Sequence, residues 1–218
     1  MKISLKELEI ILSTLEDISN PKPNLEQWTT TPRIAAEMLL CAYREGNIAD
    51  KICADLGCGN GILTVGLLLL DAKKVYAIDV DPDAIETTRR NVRRISEIYG
   101  PQDLINRAIL IYGDVREIEP FSVDTIMMNP PFGVEPQTKH ADRYFLLKAF
   151  KMANVVYSLH HSSQKSRKFL ERLARENCFE SRVIKTFDFV LRARFWYHRL
   201  KKKIIKTDFY VFQRKCLS

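Results

Sequence analysis

Four consecutive residues, Asn129-Pro130-Pro131-Phe132, carry the most specific chemistry in this sequence. They follow Asp124-Thr125-Ile126-Met127-Met128, an apolar run that reads as a buried strand. Two prolines supply no backbone N–H to continue a ladder, so the strand stops at Asn129. A residue before proline is pushed towards extended backbone, and the two fixed φ angles after it turn the chain away from the sheet. The Asn129 carboxamide and the carbonyls of Asn129 and Pro130 are then left without strand partners, beside the Phe132 ring. Such a corner suits a planar group bearing an NH₂. The lone pair of a ring-conjugated amine is delocalised. Two acceptors, the Asn129 side-chain oxygen and the Pro130 carbonyl, would draw that nitrogen towards a tetrahedral, more nucleophilic form. Phe132 would hold the ring by stacking, worth roughly 1–3 kcal/mol per base. A rigid strand-to-loop turn in which Asn129 caps its own backbone uses the same residues.

The elements that must position this corner alternate between strand and helix. Lys51 to Leu56 reads as a first strand, entering Asp55-Leu56-Gly57-Cys58-Gly59-Asn60-Gly61 and a helix that begins near Ile62. Strand, glycine-rich turn and helix form the first unit of a doubly wound nucleotide-binding fold. The G-x-G-x-G spacing departs from the dinucleotide G-x-G-x-x-G, and no P-loop lysine is present. A second strand, Val75 to Ile78, ends at Asp79, an acidic residue placed to bind both hydroxyls of a ribose. A helix from about Pro82 to Tyr99 carries Arg89, Arg90, Arg93 and Arg94, which read as an exposed face in preference to an RNA surface, and a third strand, Ala108 to Tyr112, ends in Gly113-Asp114-Val115. Asp55, the glycines, Asp79, Asp114 and Asn129 thus fall at the carboxyl ends of successive strands, the edge where an open α/β sheet takes its ligand. A helix over 142–153, a strand over 155–159, a helix over 165–176 and long strands over 182–192 and 204–214 complete the pattern. The sheet is expected to be mostly parallel with an antiparallel closing strand.

Ahead of this core, Ser4-Leu5-Lys6-Glu7 has capping-box spacing and opens a helix of about four turns ending near Asn20, with Pro21 and Pro23 as stop signals. Leu25-Glu26-Gln27-Trp28-Thr29-Thr30-Thr31-Pro32 reads as an ordered loop around one Trp, and Pro32 opens a helix through about Tyr43. At 218 residues the chain is expected to form a single domain over 1–218, with residues 1–32 as an N-terminal helix and loop and 33–218 as the core.

Composition excludes several classes. Hydrophobic content of 46% and charged content of 28% are those of an ordinary globular protein. The longest apolar stretch, Ile62 to Leu70, is interrupted by Thr64 and Gly66 and is far short of a bilayer span, so no membrane association is expected. The N-terminus has no apolar secretory core, which points to the cytoplasm, or to the nucleus in a eukaryote. Five scattered cysteines without a C-x-x-C pair, and four histidines at unrelated spacings, imply neither a disulfide framework nor a metal site. Net charge is +7, which favours a polyanionic partner. Residues 192–206 interleave Phe195, Trp196 and Tyr197 with Arg192, Arg194, Arg199, Lys201, Lys202, Lys203 and Lys206. Rings that stack bases beside cations that meet phosphates point to RNA.

Taken together, residues 25–32, Ala54 to Gly61, Met128-Asn129-Pro130-Pro131-Phe132-Gly133 and Val156-Tyr157-Ser158-Leu159-His160 resemble the methyltransferase-like protein 5 family and its archaeal relatives. Within the larger class of S-adenosylmethionine-dependent methyltransferases, an [ND]-P-P-[FYW] motif marks amino methylation. The resemblance implies a Rossmann-like class I fold with a seven-stranded, mostly parallel sheet, one antiparallel strand and an N-terminal helical extension. It implies methylation of N6 of an adenosine in small-subunit ribosomal RNA, with S-adenosylmethionine as cofactor. Gln27 and Thr30 would fold over the cofactor; the backbone of Gly57, Gly59, Asn60, Gly61 and Ile62, next to Asp55, would meet its methionine and adenosine parts. Asp79 and Val80 would hold the ribose end, Asp114 and Val115 the adenine, and Asn129 would lie between cofactor and substrate. Trp28, Thr29 and Asn60 depart from the residues of the eukaryotic members. Those members depend on a small zinc-binding activator that adds to an edge of the sheet, and the same partner is expected here. Two alternatives share these residues: methylation of a protein glutamine, whose amide also fits Asn129, and a non-catalytic RNA-binding module that retains the cofactor for stability. If the basic aromatic loop contacts phosphates, RNA affinity measured by filter binding should fall with salt, and neutralising Lys201, Lys202 and Lys203 should flatten that dependence by up to about three phosphate contacts.

Overall fold

Apolar runs punctuated by glycine and proline become strands. The computed structural model, which describes residues 3–99, 104–133, 138, 140–192 and 202–215, joins seven of them in one sheet. They are β1 (Ile52–Leu56), β2 (Lys74–Asp79), β3 (Ala108–Tyr112), β4 (Thr125–Met128), β5 (Val155–His161), β6 (Phe179–Arg192) and β7 (Lys202–Arg214). Their order is β3-β2-β1-β4-β5-β7-β6. Only β7 runs against the others, slotted between β5 and β6 and antiparallel to both. The expected doubly wound sheet with one reversed strand is therefore present, and the reversal of order beside β1 opens the crevice where such sheets bind ligands.

Helices α1 (Leu5–Ser13), α2 (Pro32–Arg44), α3 (Ile62–Leu69), α4 (Pro82–Ile98), α5 (Leu104–Arg107), α6 (Ala141–Met152) and α7 (Gln164–Glu176) cover the sheet. Alternate strand residues feed two cores. Cys53, Met127 and Tyr157 pack with residues of α1, α2 and α3, whereas Ala54, Ile126 and Val156 pack with residues of α6 and α7. Burial on both faces explains why the central strands are apolar throughout instead of alternating. No helix among the described residues is long and apolar enough to cross a membrane, and no group of three or more His, Cys, Asp or Glu could hold a metal ion. Cys53 and Cys58 are buried packing residues, as their neighbours in sequence suggest.

Three expectations need correction. The first helix has the capping box at Ser4 and Glu7 but ends at Ser13 instead of near Asn20. The Thr14 hydroxyl donates back to the Ile11 carbonyl, and two residues later the Glu16 backbone N–H is taken by the Asn91 side-chain oxygen at 2.9 Å. A tertiary hydrogen bond thus replaces the next helical turn. The four-residue α5 was not anticipated, and β6 begins three residues before the expected Arg182. The basic aromatic loop falls mainly on residues 193–201, which lie outside the described residues; the strand ends at Arg192 and Lys202 join it to the hairpin.

Helix α3 approaches α2 closely because Gly66 has no side chain. A Cβ there would lie 2.1 Å from Leu39 Cδ1 and 3.1 Å from Leu39 Cγ, and Leu39 is fully buried, so its side chain could move only by displacing its core neighbours. Overpacking of about 1–3 kcal/mol outweighs the helix-propensity gain of up to about 1 kcal/mol. Gly66→Ala should accordingly lower the urea midpoint without changing the slope.

Candidate active site

The carboxyl ends of β1, β2, β3 and β4, residues 18–30 and the start of α6 enclose a cavity of about 200 Å³. Its floor is the glycine turn. Gly61, at φ 80°, is the N-cap of α3, and a Cβ on it would lie 2.7 Å from the Thr88 methyl carbon. Left-handed backbone and close approach both call for glycine here. The Gly59 N–H donates to Asp79 Oδ2 at 2.9 Å, which ties the turn to the end of β2.

Three aspartates at strand ends line the cavity together with Glu26, and the aspartates differ in electrical state. Asp55 is 1% exposed; its Oδ2 accepts the Thr64 N–H and hydroxyl, while Oδ1 is buried with no hydrogen-bond partner among the described residues. Burial pushes its carboxyl up to about 7, against the opposing pull of the Thr64 hydrogen bonds. Asp79 is also raised by burial, although it accepts the backbone N–H groups of Asp81 and Gly59. Asp114 goes the other way, because the Arg116 guanidinium grips both its oxygens and holds it below the usual carboxylate range.

A strap made of residues 14–31 crosses the cavity and is tied at several points. The Glu16 carbonyl accepts from the side-chain amides of Asn60 and Asn91, and its carboxylate pairs with Arg90 at 3.2 Å. That arginine, expected simply to face solvent, thus holds the strap while staying exposed. Gln27 takes the Lys22 N–H on its oxygen and donates to Asp81 Oδ2 at 2.7 Å. Glu26, at φ 47° and 4% exposed, accepts the Gly133 N–H at 3.1 Å and the Thr138 hydroxyl, joining the strap to the loop after the prolines.

Asn129 lies where β4 stops. Its amide NH₂ donates to Thr30 Oγ1 at 3.0 Å and to the Trp28 carbonyl at 3.4 Å. Its Oδ1 is buried and has no hydrogen-bond partner among the described residues. Of the residues singled out from the sequence, Gln27, Thr30, Asp55, Gly57, Gly59, Asn60, Ile62, Asp79, Val80, Asp114, Val115, Asn129 and Pro131 line the cavity together. Gly61, Pro130 and Phe132 do not. Gly61 shapes the turn from behind, Pro130 is buried beneath the corner, and the Phe132 ring meets Phe189 edge-on, with centroids 5.4 Å apart. Sequence reasoning missed Glu26, Arg116, Tyr144 and Phe145. The last two follow the proline loop on α6, and helix periodicity alone did not single them out.

Because the folded Asp55 carboxyl is raised, its stabilising contribution is complete below about pH 4 and is lost as pH rises through about 7. The thermal midpoint of the ligand-free protein should therefore fall as pH rises from about 4 to about 7 and level off above that, and Asp55→Asn should remove that part of the slope.

A family model described as ribosomal protein L11 methyltransferase (PrmA) matches residues 33–107. The chain is 36% identical over 216 residues to the rRNA N(6)-adenosine-methyltransferase METTL5 of Danio rerio, covering 96% of this chain and 99% of that one. It is 35% identical to the Drosophila melanogaster rRNA N(6)-adenosine-methyltransferase Mettl5, over 97% of each chain. Among solved structures, PH1948 of Pyrococcus horikoshii, described as a candidate RNA methyltransferase, superposes with a TM-score of 0.86 at 40% identity, covering 99% of this chain and 100% of that chain.

Proposed function

Because the chain belongs to the METTL5 family of rRNA N(6)-adenosine-methyltransferases, we propose that it methylates N6 of an adenosine in small-subunit ribosomal RNA. One observation carries the reading: Asn129, which lines the cavity, carries a buried Oδ1 acceptor without a partner among the described residues, while its own NH₂ is occupied. A buried acceptor left unpaired is costly, so the corner is built to receive a donor. An exocyclic amine is such a donor. Accepting one N6–H increases the electron density on nitrogen and favours its tetrahedral form. Pro130, whose carbonyl is the other expected acceptor, does not line the cavity, so the reading rests on Asn129. Phe132 stacking against the base belongs to the same proposal.

The residues present fit S-adenosylmethionine, which when bound supplies an electrophilic methyl group. The unpartnered Asp55 Oδ1 suits an ammonium, and the paired oxygens of Asp79, beside Val80, suit two ribose hydroxyls. Asp114 and Val115 would border the adenine, the Gly57 to Ile62 backbone would carry the adenosine and methionine parts, and Gln27 and Thr30 would cover them. An adenosine must leave any stack to reach Asn129, and an unpaired RNA base costs least to extract. Residues 192–206 supply the phosphate-binding surface in this reading.

The partner proposed from the family resemblance, a small zinc-binding activator, has a suitable seat at β3. That strand lies at the margin of the sheet, with Tyr112 66% exposed, and an edge strand offers unpaired backbone groups to another chain. The compartment is that of the substrate: the cytoplasm, or the nucleus in a eukaryote.

The test incubates purified protein with labelled methyl donor and ribosomal RNA, digests the RNA to nucleosides and identifies the labelled product. Label in N6-methyladenosine is expected, and Asn129→Ala should lose about two to three orders of magnitude in kcat. Label on a protein glutamine, or RNA binding without transfer, would overturn the reading.

A further inference from the structure

A carboxamide is nearly symmetric in shape, and a half-turn about its Cβ–Cγ bond exchanges an acceptor for two donors. At Asn129 that half-turn would present NH₂ to a substrate that itself brings NH₂. The strap prevents it. The Trp28 carbonyl can only accept, so the end of the carboxamide facing it must be the nitrogen, with Thr30 Oγ1 taking the other hydrogen. Oδ1 is left as the free end.

We propose that Thr30, with the Trp28 backbone carbonyl, is a positioning residue for methyl transfer: the strap sets which end of the Asn129 carboxamide meets the substrate amine, and so belongs to the catalytic apparatus as well as covering the cofactor. The inference rests on the N6-methylation reading.

The supports of these two groups are rigid. Thr30 is 3% exposed and directly precedes Thr31, the N-cap of α2, whose hydroxyl accepts the Ile34 N–H. Trp28 packs against the core that includes α2, and its N–H closes a tight turn on the Glu26 carbonyl at 2.6 Å. Glu26 in turn accepts from Gly133 and Thr138, just past the prolines. Strap and proline loop therefore hold each other from both sides, and Asn129 cannot rotate without breaking its contacts to Trp28 and to Thr30, the residue before the α2 cap. Trp28 contributes through its backbone, so only Thr30 is open to a side-chain test.

Thr30→Val keeps the side chain's shape and removes its acceptor, whereas Thr30→Ser keeps the hydroxyl. With the full chain and ribosomal RNA, Thr30→Val should lower kcat about tenfold while cofactor affinity by calorimetry stays within about twofold, and Thr30→Ser should retain near-wild-type kcat. An unchanged kcat in Thr30→Val overturns the inference. So does a loss of cofactor affinity that matches the loss of activity, which marks Thr30 as a cofactor contact alone. Failure of Thr30→Ser to restore activity, or thermal collapse of both variants, marks a structural role and also overturns it. The two levels separate in the wild-type protein: absence of N6-methyladenosine from its product defeats the functional reading, whereas an active wild type with an indifferent Thr30→Val defeats only this inference.

Discussion

Two adjacent prolines at the end of β4 impose the constraint on which the site depends. They end the ladder at Asn129, so its polar groups must find partners away from the sheet. The donors go to the strap, through Trp28 and Thr30, and the buried acceptor is left without a partner among the described residues. That requires the strap to lie over the carboxyl edge of the sheet. Glu16 is accordingly held by Asn60, Asn91 and Arg90 instead of extending α1. Glu26 closes the arrangement on the far side by receiving the loop that the prolines turned outward.

The electrostatics divide in a similar way. The chain as a whole carries +7, yet the cavity is lined by Asp55, Asp79 and Asp114. A surface excess of lysine and arginine attracts a polyanion over a Debye length, roughly 8 Å at physiological salt. Buried carboxylates act at shorter range on whatever enters the cavity, where water screens them less. Asp55, raised by burial, is the group most open to change when a cation approaches; Asp114, already neutralised by Arg116, is the least. One chain can thus offer a basic exterior to RNA and an acidic interior to a cationic cofactor.

Where local reasoning went astray, a long-range contact had overruled it. The apolar spacing of Leu5, Leu8, Leu12 and Leu15 continues past Ser13, but Asn91, 75 residues away from Glu16, takes the backbone N–H there. Phe132 sits beside Asn129 in sequence, and its edge-on contact with Phe189 on β6 is another long-range neighbour that the local sequence does not show. Arg116 and Tyr144 carry no local signal, because they reach the cavity only when the loop after β3 is held against α6, as by Lys148 on the Arg116 carbonyl.

The order of strands and helices, the glycine turn, the acidic residues at strand ends and the Asn-Pro-Pro-Phe corner could all be read from the chain alone. Each depends on short-range rules: alternation and burial, the φ preferences of glycine and proline, and the spacing of one βαβ unit. Which end of the Asn129 carboxamide is free, which carboxylate is raised or lowered, and what holds the strap were decided by the tertiary structure. Those properties are set by partners such as Thr30 and Asn129, 99 residues apart, and by the exclusion of water around Asp55. Neither distance in space nor dielectric surroundings is written into neighbouring residues.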